Sequence, residues 1–234
     1  ARHTDAIKKA GAHPLKMDMT DYSTLKRAVD TIIKEQGRID VLWNNAGFGL
    51  YGPVEEIAID QAKNQFDVNL FGLARLTQLV LPHMRKQRRG LIINTSSMGG
   101  KMYVPLGSWY HATKHALEGF SDCLRLELKD HNITVVILEP GLISTGFTDG
   151  VQHHFPQQSL NGPYKRLVNA LRGGSLAKTN GSDPRVISHV VQHIICTKKP
   201  KTRYVVGKMA RPAMFVRKWF GDRIFDWMIM RQIR

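Results

Sequence analysis

The sequence predicts an α/β fold: a mostly parallel, doubly wound sheet with helices on both faces. Two observations carry this expectation. Short apolar runs of strand length alternate with long segments whose apolar residues recur at helical spacing, the pattern of βαβ units. The informative polar residues, Asn44 to Gly47, Ser96-Ser97 and Pro140-Gly141, each follow a predicted strand, and ligands collect beyond the carboxyl ends of strands in such sheets.

The elements follow in order. Residues 1–14 read as a helical segment closed by Gly11, and Leu15-Lys16-Met17 as a minimal strand. Thr20 or Asp21 caps a helix through Gln36 with an apolar stripe of Leu25, Ala28, Val29, Ile32 and Ile33, and Gly37 ends it. Ile39 to Trp43 is a buried strand running into Asn44-Asn45-Ala46-Gly47. A loop with Gly49, Gly52 and Pro53 leads to a long helix over Asp60 to Gln87, apolar at Phe66, Leu70, Leu73, Leu76, Val80 and Leu81, with Pro82 near its end. Asn69 interrupts that apolar face. A mid-helix Asn facing inward calls for a specific hydrogen-bonding role or a local backbone partner.

Leu91-Ile92-Ile93 is the next buried strand. Past Ser96-Ser97 and a Gly-rich loop, a helix starts near Ser108 and runs to about Asp130, burying Cys123. Ile133 to Leu138 is a strand closed by Glu139-Pro140-Gly141. Residues 142–181 have little period and are rich in Gly, Asn, Gln and His. A helix begins at Asp183 or Pro184 and reaches about Cys196, and Arg203 to Val206 is the last strand.

Composition narrows the function classes. The 234 residues suit one large α/β domain, and 42% apolar content is enough for a packed core. Cys123 and Cys196 have neither disulfide-scaffold density nor metal-ligand spacing, so no metal site is expected and a reducing, cytoplasmic setting is. A formal charge of +15 invites nucleic acid, anionic lipid or phosphorylated cofactors. The basic clusters lie at 85–89, 198–203 and 211–223. The first two read as solvated charge. No zinc spacing, aromatic RNA-binding strand or helix-turn-helix signature accompanies them, and nucleic acid is excluded as a partner. No apolar run is long enough to span a bilayer.

Tyr110 and Lys114 stand one helical turn apart, so both side chains point toward one site. A neighbouring ammonium favours a phenolate and lowers the phenol's pKa. A phenol so tuned can pass a proton to or from an oxygen whose carbon gains or loses hydride. Ser97, at the end of the preceding strand, could hold that oxygen. Tyr22/Lys26 and Tyr204/Lys208 repeat the spacing, but neither follows a strand ending in Ser-Ser, and both read as surface pairs.

Taken together, Asp18 in LKMDMTD, NNAG at 44–47, Asn69 in FDVNLFG, Ser97, Tyr110-x3-Lys114 and Pro140-Gly141-x-Ile143-x-Thr145 resemble the short-chain dehydrogenase/reductase family. The likeness covers about residues 1–145 and continues more loosely to the end. It implies a Rossmann-like domain over 1–210, with a substrate loop at about 142–181, and an NAD(P)-dependent alcohol dehydrogenase or ketone reductase. By the resemblance, Tyr110 is the acid/base, Ser97 orients and polarises the substrate oxygen, and Lys114 lowers the phenol pKa and binds the nicotinamide ribose. Asn69 holds a water in a proton relay. Asn45, Ala46 and Gly47 line the adenosine side, Asn44 ties neighbouring strands together, Asp18 accepts from the adenine, and Pro140, Gly141, Ile143 and Thr145 bracket the nicotinamide. The long helices at 60–87 and 108–130 are the expected homodimer or homotetramer face.

Arg2 looks like the basic residue that faces a 2′-phosphate, which favours NADP(H) over NAD(H), the alternative being a solvated Arg at an open terminus. The family's Gly-rich pyrophosphate turn has no counterpart in these residues, so the first βαβ unit is expected to be missing and the Ile39 strand to lack a neighbour on one side. A chain truly without that unit would be a noncatalytic binding or assembly protein. Phe48, Tyr51, Met98, Met102, Tyr103, Phe147 and Phe155 suggest an apolar alcohol or ketone of steroid, retinoid or lipid type, or are ordinary loop packing. Residues 211–234 form a basic amphipathic tail rich in Trp and Phe. Such a tail lies peripherally on a membrane or packs on its own domain or a partner subunit.

Overall fold

The structure is a computed structural model and describes residues 4–145, 155–173 and 181–233. One sheet of four strands has the order β1-β2-β3-β4, with β1 Val41–Asn44, β2 Gly90–Thr95, β3 Ile133–Pro140 and β4 Arg203–Val206. All pairings are parallel, with Leu42 beside Ile92, Ile92 beside Val135 and Leu138 beside Tyr204. The helices are α1 Thr4–Lys9, α2 Tyr22–Gln36, α3 Ile59–Phe66, α4 Gly72–Gln87, α5 Ser108–Glu127, α6 Lys165–Gly173, α7 Arg185–Cys196 and α8 Ala210–Arg231.

Successive strand residues point to opposite faces, and this alternation builds two cores. Leu42, Ile92, Ile133 and Val135 join Leu25 and Val29 of α2, Leu76 and Val80 of α4, and Leu124 of α5 on one face. Ile93, Val136 and Leu138 meet Val191 and Ile194 of α7 on the other. The doubly wound α/β expectation is met. Capping follows the sequence as well: the Asp21 carboxylate accepts from the Ser23 amide at 3.0 Å, and Gly37 ends α2 at φ 73°.

Several expectations need correction. Leu15-Lys16-Met17 is not a strand, because no neighbour offers it a ladder: β1 pairs only with β2 among the described residues, and residues 18–21 turn back on themselves, the Asp21 amide reaching the Asp18 carbonyl at 3.1 Å. The segment read as one helix over 60–87 is α3 and α4 joined by a π turn, Asp67–Phe71. Cys123 is exposed, since the buried stripe of α5 runs through Leu117, Ser121 and Leu124. The weakly periodic region contains α6, seated through the fully buried Val168. Arg203 is not solvated charge but an internal clamp. For the tail, by contrast, one of the expected placements is met: residues 211–233 pack on the domain through Ala213, Phe225, Ile229 and Ile233, which meet Met102.

Candidate active site

The site grows from the end of β2. Past Thr95 and Ser96, the Ser97 backbone is extended, and its Oγ accepts from the Gly99 amide at 3.0 Å, opening a single 3₁₀ turn over Met98–Gly100. The Ser97 side chain is hydrogen-bonded to the Tyr110 phenol. Gly99 permits this approach, since a Cβ there would meet Tyr110 Cε1 at 3.2 Å and His111 Nδ1 at 2.9 Å. Tyr110, in the first turn of α5, is 6% exposed. Burial pushes its pKa up to about 12, with the Ser97 hydrogen bond pulling the other way.

That outcome differs from the expectation that Lys114 lowers the phenol pKa. Lys114 is itself buried, which brings its pKa down to about 8, and the Glu118 carboxylate one turn further along α5 opposes the fall. Its Nζ donates to the Thr95 carbonyl at 2.8 Å. Burial, opposed by the Ser97 hydrogen bond, sets the shift of the phenol. The phenol is a neutral proton donor at pH 7.

Asn69 sits in the π turn and is 1% exposed. Its Oδ1 accepts from the Phe48 amide at 3.0 Å, and its Nδ2 donates to the Phe48 carbonyl at 2.9 Å and to Thr113 Oγ1 at 3.2 Å. Thr113 Oγ1 in turn donates to the Tyr110 carbonyl at 2.8 Å. One side chain therefore locks the loop after β1 to the helix that carries Tyr110. A Cβ on Gly47 would lie 3.0 Å from Asn69 Oδ1 and 3.9 Å from Lys114 Nζ, so Gly47, Asn69 and Lys114 converge.

Among the other expected residues, Asn44 is buried, and its Nδ2 donates to Asn94 Oδ1 at 2.9 Å and Thr77 Oγ1 at 3.2 Å, joining β1, β2 and α4. Asn45, Ala46 and Gly47 lie exposed past β1, and Asn45 Oδ1 accepts from Thr95 Oγ1 at 3.3 Å. Pro140 closes β3, and the Gly141 amide reaches the Val206 carbonyl at 2.7 Å. Ile143 bridges to Ser182, and Thr145 is exposed. Asp18 is exposed and accepts from the Thr20 amide at 2.9 Å and hydroxyl at 2.7 Å, which hold its carboxyl below the usual range. Its hydrogen bonds are local and do not join it to Tyr110 or Lys114. Arg2 and Phe147 lie outside the described residues.

Two groups were missed from sequence. His111 is buried, with Nδ1 2.9 Å from the Gly99 carbonyl, while Nε2 accepts from the Val104 amide at 3.1 Å. It ties both ends of the loop after Ser97 to α5, but a lone His beside Tyr110 carries no spacing signal. The second group is an ionic cluster built on two buried glutamates, Glu118 and Glu139, and the partly exposed Arg203, Asp122 and Lys101. Arg203 Nη2 lies 3.1 Å from Glu118 Oε2 and also pairs with Asp122, its Nε lies 3.3 Å from Glu139 Oε1, and Lys101 Nζ lies 3.0 Å from Glu118 Oε2. Burial, reinforced by Glu118, pushes the Glu139 carboxyl up to about 7 against the pull of Arg203 and Lys101. A signal existed: a glutamate inside an apolar strand requires a cationic partner.

A sequence profile described as short chain dehydrogenase matches residues 1–155. The chain belongs to the short-chain dehydrogenase/reductase family. It is 36% identical over 217 residues to a 3-ketodihydrosphingosine reductase of Bacteroides thetaiotaomicron, a match covering 92% of this chain and 80% of the relative. It is 33% identical over 211 residues to the uncharacterized oxidoreductase YbbO of Escherichia coli, covering 90% of this chain and 74% of that protein. The crystal structure of a short-chain dehydrogenase from Streptomyces avermitilis superposes with a TM-score of 0.77 at 30% identity, over 93% of this chain and 80% of that one. A metagenomic short-chain oxidoreductase in complex with NADP gives a TM-score of 0.55 at 31% identity, over 58% of this chain and 63% of that one. This short-chain dehydrogenase is accordingly an NAD(P)-dependent oxidoreductase acting on CH–OH groups.

Proposed function

We propose that this short-chain dehydrogenase moves hydride between NADP(H) and an apolar, lipid-like secondary alcohol or ketone, with NAD(H) as a weaker cofactor. The observation that carries the reading is the Ser97–Tyr110 hydrogen bond at the carboxyl end of β2, with Lys114 one turn away in a buried setting. The residues fit a dinucleotide. The Gly47 backbone is exposed and converges with Lys114, and the Lys114 ammonium keeps donors beyond the one given to Thr95. Lys114, Asn45, Ala46, Gly47 and the 140–145 segment would hold the cofactor, with Asp18 toward the adenine and Arg2 toward a 2′-phosphate.

When bound, the reduced nicotinamide supplies the hydride. In the reductive direction Ser97 donates to the substrate carbonyl oxygen and orients it. Tyr110 delivers its phenolic proton to that oxygen as negative charge develops. The resulting phenolate is balanced by the Lys114 ammonium, and the proton is restored from solvent. Oxidation of the alcohol runs these steps in reverse. Asn69 acts in our reading by fixing the loop at Phe48 to α5, with the water relay of the family as a further role.

The lipid-like substrate class rests on the walls and on a relative. Met102 packs with Phe225, and Leu106 and Phe155 pack with Tyr51 and Val168, so the loops flanking Ser97 and Tyr110 are apolar. The Bacteroides relative is named as a 3-ketodihydrosphingosine reductase, and a sphingosine-type ketone is lipid-like. We further propose a homodimer or homotetramer through α3, α4 and α5, where an apolar depression of about 260 Å³ is lined by Ile59, Phe66, Phe71 and Trp109. The enzyme would be cytoplasmic and peripheral to a membrane through residues 211–234; no helix among the described residues is long and apolar enough to cross one. The test is NADPH consumption with a long-chain ketone beside a short polar ketone of equal reactivity. A kcat/KM at least tenfold higher for the long chain is expected, and equal values would remove the substrate class.

A further inference from the structure

The geometry points to the outward face of α8 as a docking surface for an anionic phospholipid bilayer. This deepens the lipid-like substrate reading but rests on separate observations. The helix is broken at Gly221, whose φ of 73° and ψ of −176° lie outside the helical region. Its inward side is spent, with Phe225 fully buried and Ala213 and Ile229 nearly so. Its outward side should then be polar throughout, yet large apolar residues stand among its charges. Trp219 is 66% exposed, Trp227 61%, Phe215 55%, Phe220 52% and Ile224 48%. Large apolar residues exposed opposite an already buried side call for a second cover.

Charge chooses the cover. The two acidic residues of α8, Asp222 and Asp226, are both engaged by Tyr103, whose hydroxyl lies 3.1 Å and 2.9 Å from their carboxylates, and Asp222 also pairs with Arg217 at 2.6 Å. Arg217 is drawn in with them, 5.3 Å from the Tyr103 ring centroid. Arg211, Lys218, Arg223 and Arg231 are exposed. Lys218 lies over the Trp219 ring at 5.2 Å, and Arg231 over Trp227 at 5.1 Å. Exposed indoles flanked by free cations, with the nearby acids engaged elsewhere, match an interface of anionic headgroups above acyl chains. Lys218 beside Trp219 weighs against a protein partner, since Lys is depleted at such interfaces although Arg is not. Tyr103 follows directly on Met102 of the substrate wall, so the same contacts that seat α8 link the docking face to the proposed binding site.

Flotation of the full chain with phosphatidylcholine vesicles, with and without phosphatidylglycerol, tests this. Recovery is expected only with the anionic vesicles, falling at 1 M salt, where the screening length is about 3 Å. Lys218→Gln and Arg223→Gln should each weaken partition about fivefold. Trp219→Ser with Trp227→Ser should abolish it, with unchanged circular dichroism and NADPH binding showing that the fold persists. No recovery, or equal recovery on neutral and anionic vesicles, would overturn the proposal. So would a dimer that dissociates on Trp227→Asp, which would give the face to a second copy. Turnover of a long-chain ketone in detergent, without vesicle binding, would sink the docking surface and leave the enzymatic reading standing.

Discussion

Tyr110→Phe removes one oxygen and little else. The Tyr110 ring is buried, with its centroid 5.6 Å from those of Tyr51 and His111, and Phe keeps that packing. The stability cost is the hydrogen bond to Ser97, about 1 kcal/mol, or 2–4 °C in Tm for a domain of this size. The catalytic cost is far larger. With its pKa at about 12, the phenol holds its proton throughout the neutral range, as the proposed role of protonating the oxygen held by Ser97 requires. Loss of a placed general acid lowers kcat by about 10² to 10⁴, equivalent to roughly 3–5 kcal/mol of barrier. The assay is steady-state NADPH oxidation with a long-chain ketone, paired with fluorescence titration of NADPH binding. Turnover should fall at least a hundredfold while the cofactor Kd moves less than about threefold. A variant turning over at the parental rate would refute the assignment of Tyr110, whatever its affinity for NADPH.

Two other predictions concern pH. Lys114 has its pKa lowered to about 8 by burial, so its charge is lost as pH rises through that value rather than near 10. NADPH affinity and reductive kcat/KM should both decline above about pH 8, and Lys114→Met should flatten the affinity profile; a decline retained in the variant would rule Lys114 out as its source. Glu139 has its pKa raised to about 7, so between its ordinary value and about 7 the folded chain holds a proton that the unfolded chain has released. Folding stability from this group is therefore present at low pH and lost as pH rises through that window. Glu139→Gln should shrink the fall in Tm between pH 5 and pH 8, and an unchanged slope measured by calorimetry would argue against it.

The alternation of strands and helices was legible because period-2 and period-3.6 patterns report burial directly, and burial built both faces of the sheet. Ser97, Tyr110 and Lys114 were legible because strand end, loop and helix start place them in one short stretch. The clamp around Arg203 was not. It read as part of a solvated basic run, while its partners Glu118 and Glu139 are 85 and 64 positions earlier in the chain. Charge pairing across such separations leaves no local period. The phenol's pKa was misjudged for a related reason: the spacing shows the ammonium, but only the fold shows how much water both groups lose.

The π turn at Asp67–Phe71 carries a further consequence. It holds one more residue than an α turn, so shortening the chain by one there would yield an ordinary, better-bonded helix. The same edit would leave α3 and α4 nearly in phase, because the π turn only absorbs the extra residue, but it would move the amide of Asn69 off Phe48. Local relaxation and construction of the site thus pull in opposite directions, and a single-residue deletion at this spot should give a chain that folds yet leaves the Phe48 loop unpinned. Helix length here is set by where one carboxamide must point.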